Sequence, residues 1–165
     1  THCISSAASD VYKRQVLAKI LGYEFLDSDL LIQKEEKRRL YQIIDEEGED
    51  GFKAIENRVN ASIDTENTVI ATGGSVVYCS EAMEHLKSIG KVVYLSLSLE
   101  SLEKRLGNLK KRGVLLKEGQ TLKSLYEERV PLYEKYADIV VDEEGKDLEA
   151  SLQALLETLQ TGVIK

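Results

Sequence analysis

From residue 16 onward, short runs of apolar, β-favouring residues alternate with longer stretches whose apolar positions recur every three or four residues. The first pattern reads as buried strands and the second as amphipathic helices, and their alternation is what a parallel sheet covered by helices requires. Residues 16–21 read as the end of a helix stopped by Gly22, 23–26 as a short strand, 30–47 as a charged helix and 52–63 as a further helix. TVIAT (68–72) is a buried strand running into Gly73 and Gly74, residues 80–89 are a helix stopped by Gly90, and VVYLSL (92–97) is the next strand. A helix over 99–106 leads into GNLKKRGVLLKEGQT (107–121), whose glycines and charges suggest a mobile loop over a site. The segment from Thr121 is helical to about residue 130, where the only proline, Pro131, interrupts the pattern. A last strand (139–141) and a closing helix (148–159) follow, without internal repeat, low-complexity tract or linker. One α/β domain is expected.

The first fifteen residues break the pattern. SSAASDVYKRQ (5–15) resembles the translation of a transposase sequencing adapter, and residues 1–4 fit the adapter's upstream part. They lack the apolar core of a signal peptide. The expectation is therefore a non-native leader at 1–15 and a domain at 16–165. Asp10, Lys13 and Arg14 sum to +1, so the domain carries −8 against the whole chain's −7. An acidic surface argues against non-specific binding to nucleic acid or anionic membranes, and no run approaches a membrane span. Cys79 is the domain's lone cysteine, which fits a reducing cytosol, and no Cys/His cluster has zinc-ligand spacing. His85 reads as a helix-surface residue.

Three stretches offer chemistry. In LGYEFLDSD, Asp27 and Asp29 follow a strand, and strand alternation would turn both carboxylates to one side, where hard cations find oxygen ligands. The same DSD also fits an Asp-Ser-Asp helix cap. In TVIATGGS, Gly73 and Gly74 let the backbone approach a ligand and donate N–H groups, or simply make a tight turn. In GFKAIE, Lys53 and Glu56 are either a charged site or a solvated ion-pair face.

Taken in order, LGYEFLDSD, GFKAIE, TVIATGGS, the arginines around RGVLL, and ERVPLY resemble the shikimate kinase family from about residue 16 to residue 142. The resemblance implies a three-layer α/β/α, nucleoside-monophosphate-kinase-like P-loop fold, with MgATP phosphorylating the 3-hydroxyl of shikimate in aromatic amino-acid biosynthesis. It implies that Asp29 orients or deprotonates the hydroxyl and that Asp27 lies near Mg2+ through water. Lys53, Gly73, Gly74 and Arg129 would bind the acceptor, Arg105 would stack on adenine, and Arg112, seven residues on, would reach the phosphates. A cytoplasmic monomer is implied.

Three positions depart from the family pattern. Lys53 replaces an arginine that clamps the acceptor carboxylate, and lysine lacks the planar fork. Ser75 replaces a third glycine, and Gly113 a lid proline. A different hydroxy-acid acceptor and a non-catalytic metabolite-binding relative are the alternatives. No G-x-x-x-x-G-K-[ST] occurs, so the first strand and P-loop are expected to be missing and the chain itself inactive and poorly folded.

Overall fold

The computed structural model describes residues 11–106 and 119–161 together with the backbone of residues 2–5. In chain order the elements are β1 (His2–Ser5), α1 (Val11–Leu21), β2 (Glu24–Asp27), α2 (Ser28–Glu36), α3 (Leu40–Ala61) and β3 (Thr68–Ala71). A 3-10 turn (Val76–Tyr78) precedes α4 (Ser80–Ile89), β4 (Lys91–Ser96), α5 (Leu99–Leu106), α6 (Leu122–Tyr136), β5 (Ile139–Asp142) and α7 (Leu148–Thr161). The five strands form one parallel sheet in the order β2-β3-β1-β4-β5.

Side-chain alternation along the strands divides the core in two. Val69, Val93, Leu95, Ile139 and Val141 pack against Leu17 and Ala18 of α1 and Leu152 and Leu155 of α7. Their neighbours Ile70, Val92 and Tyr94 face the other way, onto Met83 and Leu86 of α4 and Tyr133 and Tyr136 of α6. Helices thus cover both faces, as the apolar strand runs demanded. A smaller cluster of Ile32, Ile43, Phe52 and Val59 holds α2 and α3 together beside the sheet.

The sheet's centre differs from the sequence expectation. The position expected to be empty is filled by His2–Ser5, which pairs with β3 from His2↔Val69 and with β4 from His2↔Lys91 to Ser5↔Tyr94. Ladder bonds are made by backbone, so a short segment containing Cys and Ile satisfies amides of β3 and β4 that would otherwise lie unpaired in the core. Helix α1 likewise starts at Val11, within the segment set aside as a leader.

Three helix boundaries also differ. The helix expected over 30–47 breaks at Lys37, which adopts a left-handed conformation (φ 54°). The break lets Ile32 and Ile43 meet, and Arg38 ties it down by bonding Glu36, Glu46 and Glu47 at 3.0, 2.7 and 2.9 Å. The expected gap near residue 50 is only a kink at Gly48 (φ 70°) inside α3. Pro131 does not end α6. It lies on the exposed side, where the carbonyl it leaves without a donor can be hydrated, while Tyr133 and Tyr136 one turn on are buried. His85 is half-buried, with Nε2 2.6 Å from the Ile63 carbonyl, so it ties α4 to the end of α3. Among the described residues no helix is long and apolar enough to cross a membrane.

Candidate functional site

Asp27 is the last residue of β2, and its Oδ1 accepts the amides of Asp29 (2.9 Å) and Leu30 (3.2 Å). It is thus the N-cap of α2, and Asp29 projects from the helix's first turn. Asp29 is placed not by strand alternation but by the cap, which starts the helix at the sheet's carboxyl end. A Cβ added at Gly73 would lie 3.1 Å from Asp29 Oδ1 and 3.3 Å from Glu56 Oε1. Two carboxyl groups therefore converge on glycine backbone that any larger residue would crowd. Burial raises the Asp29 pKa above the ordinary carboxylate value, the Asp27 charge adds to the rise, and Arg14 opposes it.

Glu56 is fully buried, so the solvated ion-pair face is not realised. Its oxygens lie 2.9 and 2.8 Å from Ser75 Oγ, whose one proton they share. Burial pushes the Glu56 carboxyl up to about 7; the Ser75 hydroxyl lowers it, the Asp29 charge raises it, and Arg129 and Lys53 lower it. Asp29, Lys53 and Arg129 thus all lie within electrostatic reach of this one carboxylate. Cys79 lies against the same group, with Sγ 3.5 Å from the Lys53 carbonyl. Burial pushes this thiol up to about 12, which makes it a packing residue and not a nucleophile.

The cations meet on Tyr78. Lys53 Nζ is 4.8 Å from the ring centroid and Arg129 Cζ is 5.5 Å from it. Arg129 Nε donates to the Tyr78 hydroxyl at 3.4 Å, and that hydroxyl donates to Glu128 at 2.6 Å. Tyr133, stacked on Tyr94 with centroids 4.9 Å apart, donates its hydroxyl to the Gly74 carbonyl at 2.7 Å. Gly74 is thereby held from α6, the helix that carries Arg129.

Arg105 stands apart from this group. Its Nη1 reaches Glu143 Oε2 at 3.2 Å and its Nη2 the Glu143 carbonyl at 3.4 Å, while Lys13 Nζ binds Glu143 Oε1 at 2.5 Å. Arg112 and the loop expected over the site lie outside the described residues, save Gly119–Thr121. Sequence reasoning missed Tyr78, Tyr133 and Arg14, whose Nη1 donates to the Thr72 carbonyl at 3.3 Å. The tyrosines stand in VVYC and VPLY, next to residues that were singled out, and the aromatic beside ERVP is a usable signal. Arg14 carried none, because it falls in the segment set aside.

A family model described as shikimate kinase matches residues 14–160. The chain belongs to the shikimate kinase family. The shikimate kinase of Francisella tularensis subsp. novicida (strain U112) is 41% identical over 133 residues, covering 78% of this chain and 76% of that protein. That of Persephonella marina is 35% identical over 133 residues, covering 80% of each. Among solved structures, shikimate kinase from Acinetobacter baumannii in complex with shikimate matches with a TM-score of 0.82 at 30% identity, over 99% of this chain and 94% of that one. The Aquifex aeolicus enzyme gives 0.81 at 30% identity, over 98% of each chain. The three-layer sheet is thus the P-loop kinase fold of nucleoside-monophosphate-kinase type, and this shikimate kinase relative belongs to a phosphotransferase family whose donor is ATP.

Proposed function

We propose that this chain holds shikimate, or a closely related hydroxy-acid, as a phosphoryl acceptor, with the reacting 3-hydroxyl at Asp29 and the acid's carboxylate at Lys53 and Arg129. The observation that carries the reading is the convergence of Asp29 and Glu56 on Gly73, with Lys53 and Arg129 beside them. Burial makes Asp29 a stronger base than an exposed aspartate, which suits it to orient and accept a hydroxyl proton. Two cations on Tyr78 offer a carboxylate its counter-charge, Arg129 as a fork and Lys53 as a point charge. Gly73 and Gly74 give the acceptor ring access to backbone.

Asp27 fits a Mg2+ reached through water and held mainly by water and phosphate oxygens, since it spends one oxygen on its cap and no group of three protein ligands exists among the described residues. MgATP, when bound, would supply the phosphoryl group. Its phosphates find no matching cradle in the sequence: residues 6–10 read SAASD, with neither glycine nor lysine. We therefore read the chain as acceptor-binding and without turnover, with transfer restored by a G-x-x-x-x-G-K-[ST] segment ahead of α1. We further read it as a cytoplasmic monomer, and its net charge of −7 weighs against nucleic-acid and anionic-membrane partners.

Calorimetric titration tests this. Shikimate should bind the chain, Lys53→Met and Arg129→Met should each weaken it by about tenfold or more, and no ADP should form with MgATP present. Tighter binding of another hydroxy-acid moves the acceptor assignment to that compound, and turnover of ATP overturns the inactivity. Adapter-free long reads of the source DNA across codon 16 test the leader reading.

A further inference from the structure

Lys53 and Glu56 stand three residues apart on α3, a spacing at which lysine and glutamate ordinarily pair. They do not pair here. Lys53 has no ion pair among the described residues, and its ammonium rests 4.8 Å from the centre of the Tyr78 ring. The Glu56 carboxylate is turned inward, with Oε1 beside Gly73 and Oε2 4.0 Å from Cys79 Sγ. Among the described residues, Ser75 Oγ at 2.8 and 2.9 Å is its one close hydrogen-bond donor, with the thiol a weak second.

We propose that Ser75 is a positioning residue for the acceptor: by holding Glu56 inward it keeps the Lys53 ammonium out of an ion pair within α3 and open to the acceptor's anionic group. The inference rests on the reading of Lys53 as an acceptor-binding residue. A lysine neutralised by its helix neighbour would have to give up that pair before it could meet an incoming carboxylate, and in a half-buried site the exchange weakens binding. The departures at positions 53 and 75 then form one adaptation. Lysine offers fewer and less directed donors than arginine, and the serine hydroxyl supplies the donor that the buried carboxylate needs. A glycine at position 75 would leave Glu56 with only the thiol and free to turn outward.

The test begins without ligand. Glu56 is faced by Asp29 on α2, Lys53 on its own helix, Cys79 after the 3-10 turn, and Arg129 and Tyr133 on α6. Carbon-13 carboxyl titration follows Glu56 in the unaltered chain, Ser75→Ala, Lys53→Met and the double variant. Removing Lys53 should raise the Glu56 midpoint by a few tenths of a pH unit where Ser75 is present, and by about one pH unit where alanine has let the pair form. Equal shifts in the two backgrounds overturn the proposal. In shikimate titrations, Ser75→Ala should weaken binding about tenfold while Ser75→Thr, which keeps the hydroxyl, stays within about twofold, and Ser75→Ala should add no loss once Lys53 is methionine. A loss that persists undiminished in the Lys53→Met background marks a structural role and overturns it. If the unaltered chain binds no shikimate, the acceptor reading fails, and the carboxyl titrations decide by themselves whether Ser75 holds Glu56 away from Lys53.

Discussion

Replacing Glu56 by Gln should remove one pH-dependent component of the stability. The carboxyl is fully buried and pushed up from 4.5 to about 7, chiefly by desolvation. An acid whose folded value is raised gives up its proton more readily when unfolded. Its contribution is therefore fully present below pH 4.5 and is lost as the pH rises toward and through 7. At about 1.4 kcal/mol for each tenfold change in proton affinity, the interval from 4.5 to about 7 corresponds to roughly 3 kcal/mol. Glutamine keeps the shape and can still accept the Ser75 hydroxyl, yet it has no charge to desolvate. Urea unfolding of both proteins at several pH values between 4.5 and 8.5 measures the difference directly, with the other titrating groups largely cancelling. Glu56→Gln should match the unaltered chain near pH 4.5 and exceed its stability by up to about 3 kcal/mol at pH 8.5. A difference that does not change with pH would refute the burial argument, and one that grows toward acid pH would mean that Glu56 is held by a strong ion pair.

Other predictions concern the same neighbourhood. Tyr133→Phe removes the hydroxyl that reaches the Gly74 carbonyl at 2.7 Å; urea unfolding should show a loss of about 1–2 kcal/mol, and a loss below about 0.5 kcal/mol would mean that water replaces the bond. Gly73→Ala brings a methyl to 3.1 Å from Asp29 and 3.3 Å from Glu56. The fold should survive at a cost near 1 kcal/mol while shikimate affinity falls about tenfold, and unchanged affinity would remove Gly73 from the site. In a Cys3→Ser background, Cys79 should react with an aromatic disulfide reagent at pH 8 only as fast as the protein unfolds, because its thiol is buried and raised to about 12. Rapid reaction under native conditions would contradict both.

The periodic part of the fold was legible because strands buried on both faces, such as TVIA and KVVYLS, cannot be mistaken for solvent-facing segments. What escaped was set by tertiary contacts. Residues 2–5 become a strand only because β3 and β4 present open ladders on both sides. The break at Lys37 exists so that Ile32 and Ile43 can meet, and nothing local announces it. Pro131 was read as a stop because its missing amide is visible in sequence, whereas the burial of Tyr133 and Tyr136 that outweighs it is not. At the site, the residue types were readable but their partners were not. Asp27 spends an oxygen on capping, and Glu56 turns from Lys53 to Ser75, choices decided by which groups the sheet and α3 bring together.

The central strand also governs the order in which the molecule can be finished. His2–Ser5 leaves the ribosome well before its partners, which extend to Tyr94. At roughly 5–20 residues per second the segment waits several seconds before its second neighbour exists. During that interval β2 and β3 can join and their covering helices can form, but the seam at the middle of the sheet stays open. The centre of this sheet therefore closes only once β4 has emerged, with β5 adding to the far side of β4 later still, and a chaperone that shields residues 2–5 or the exposed edge of β3 would act on the step most open to mispairing.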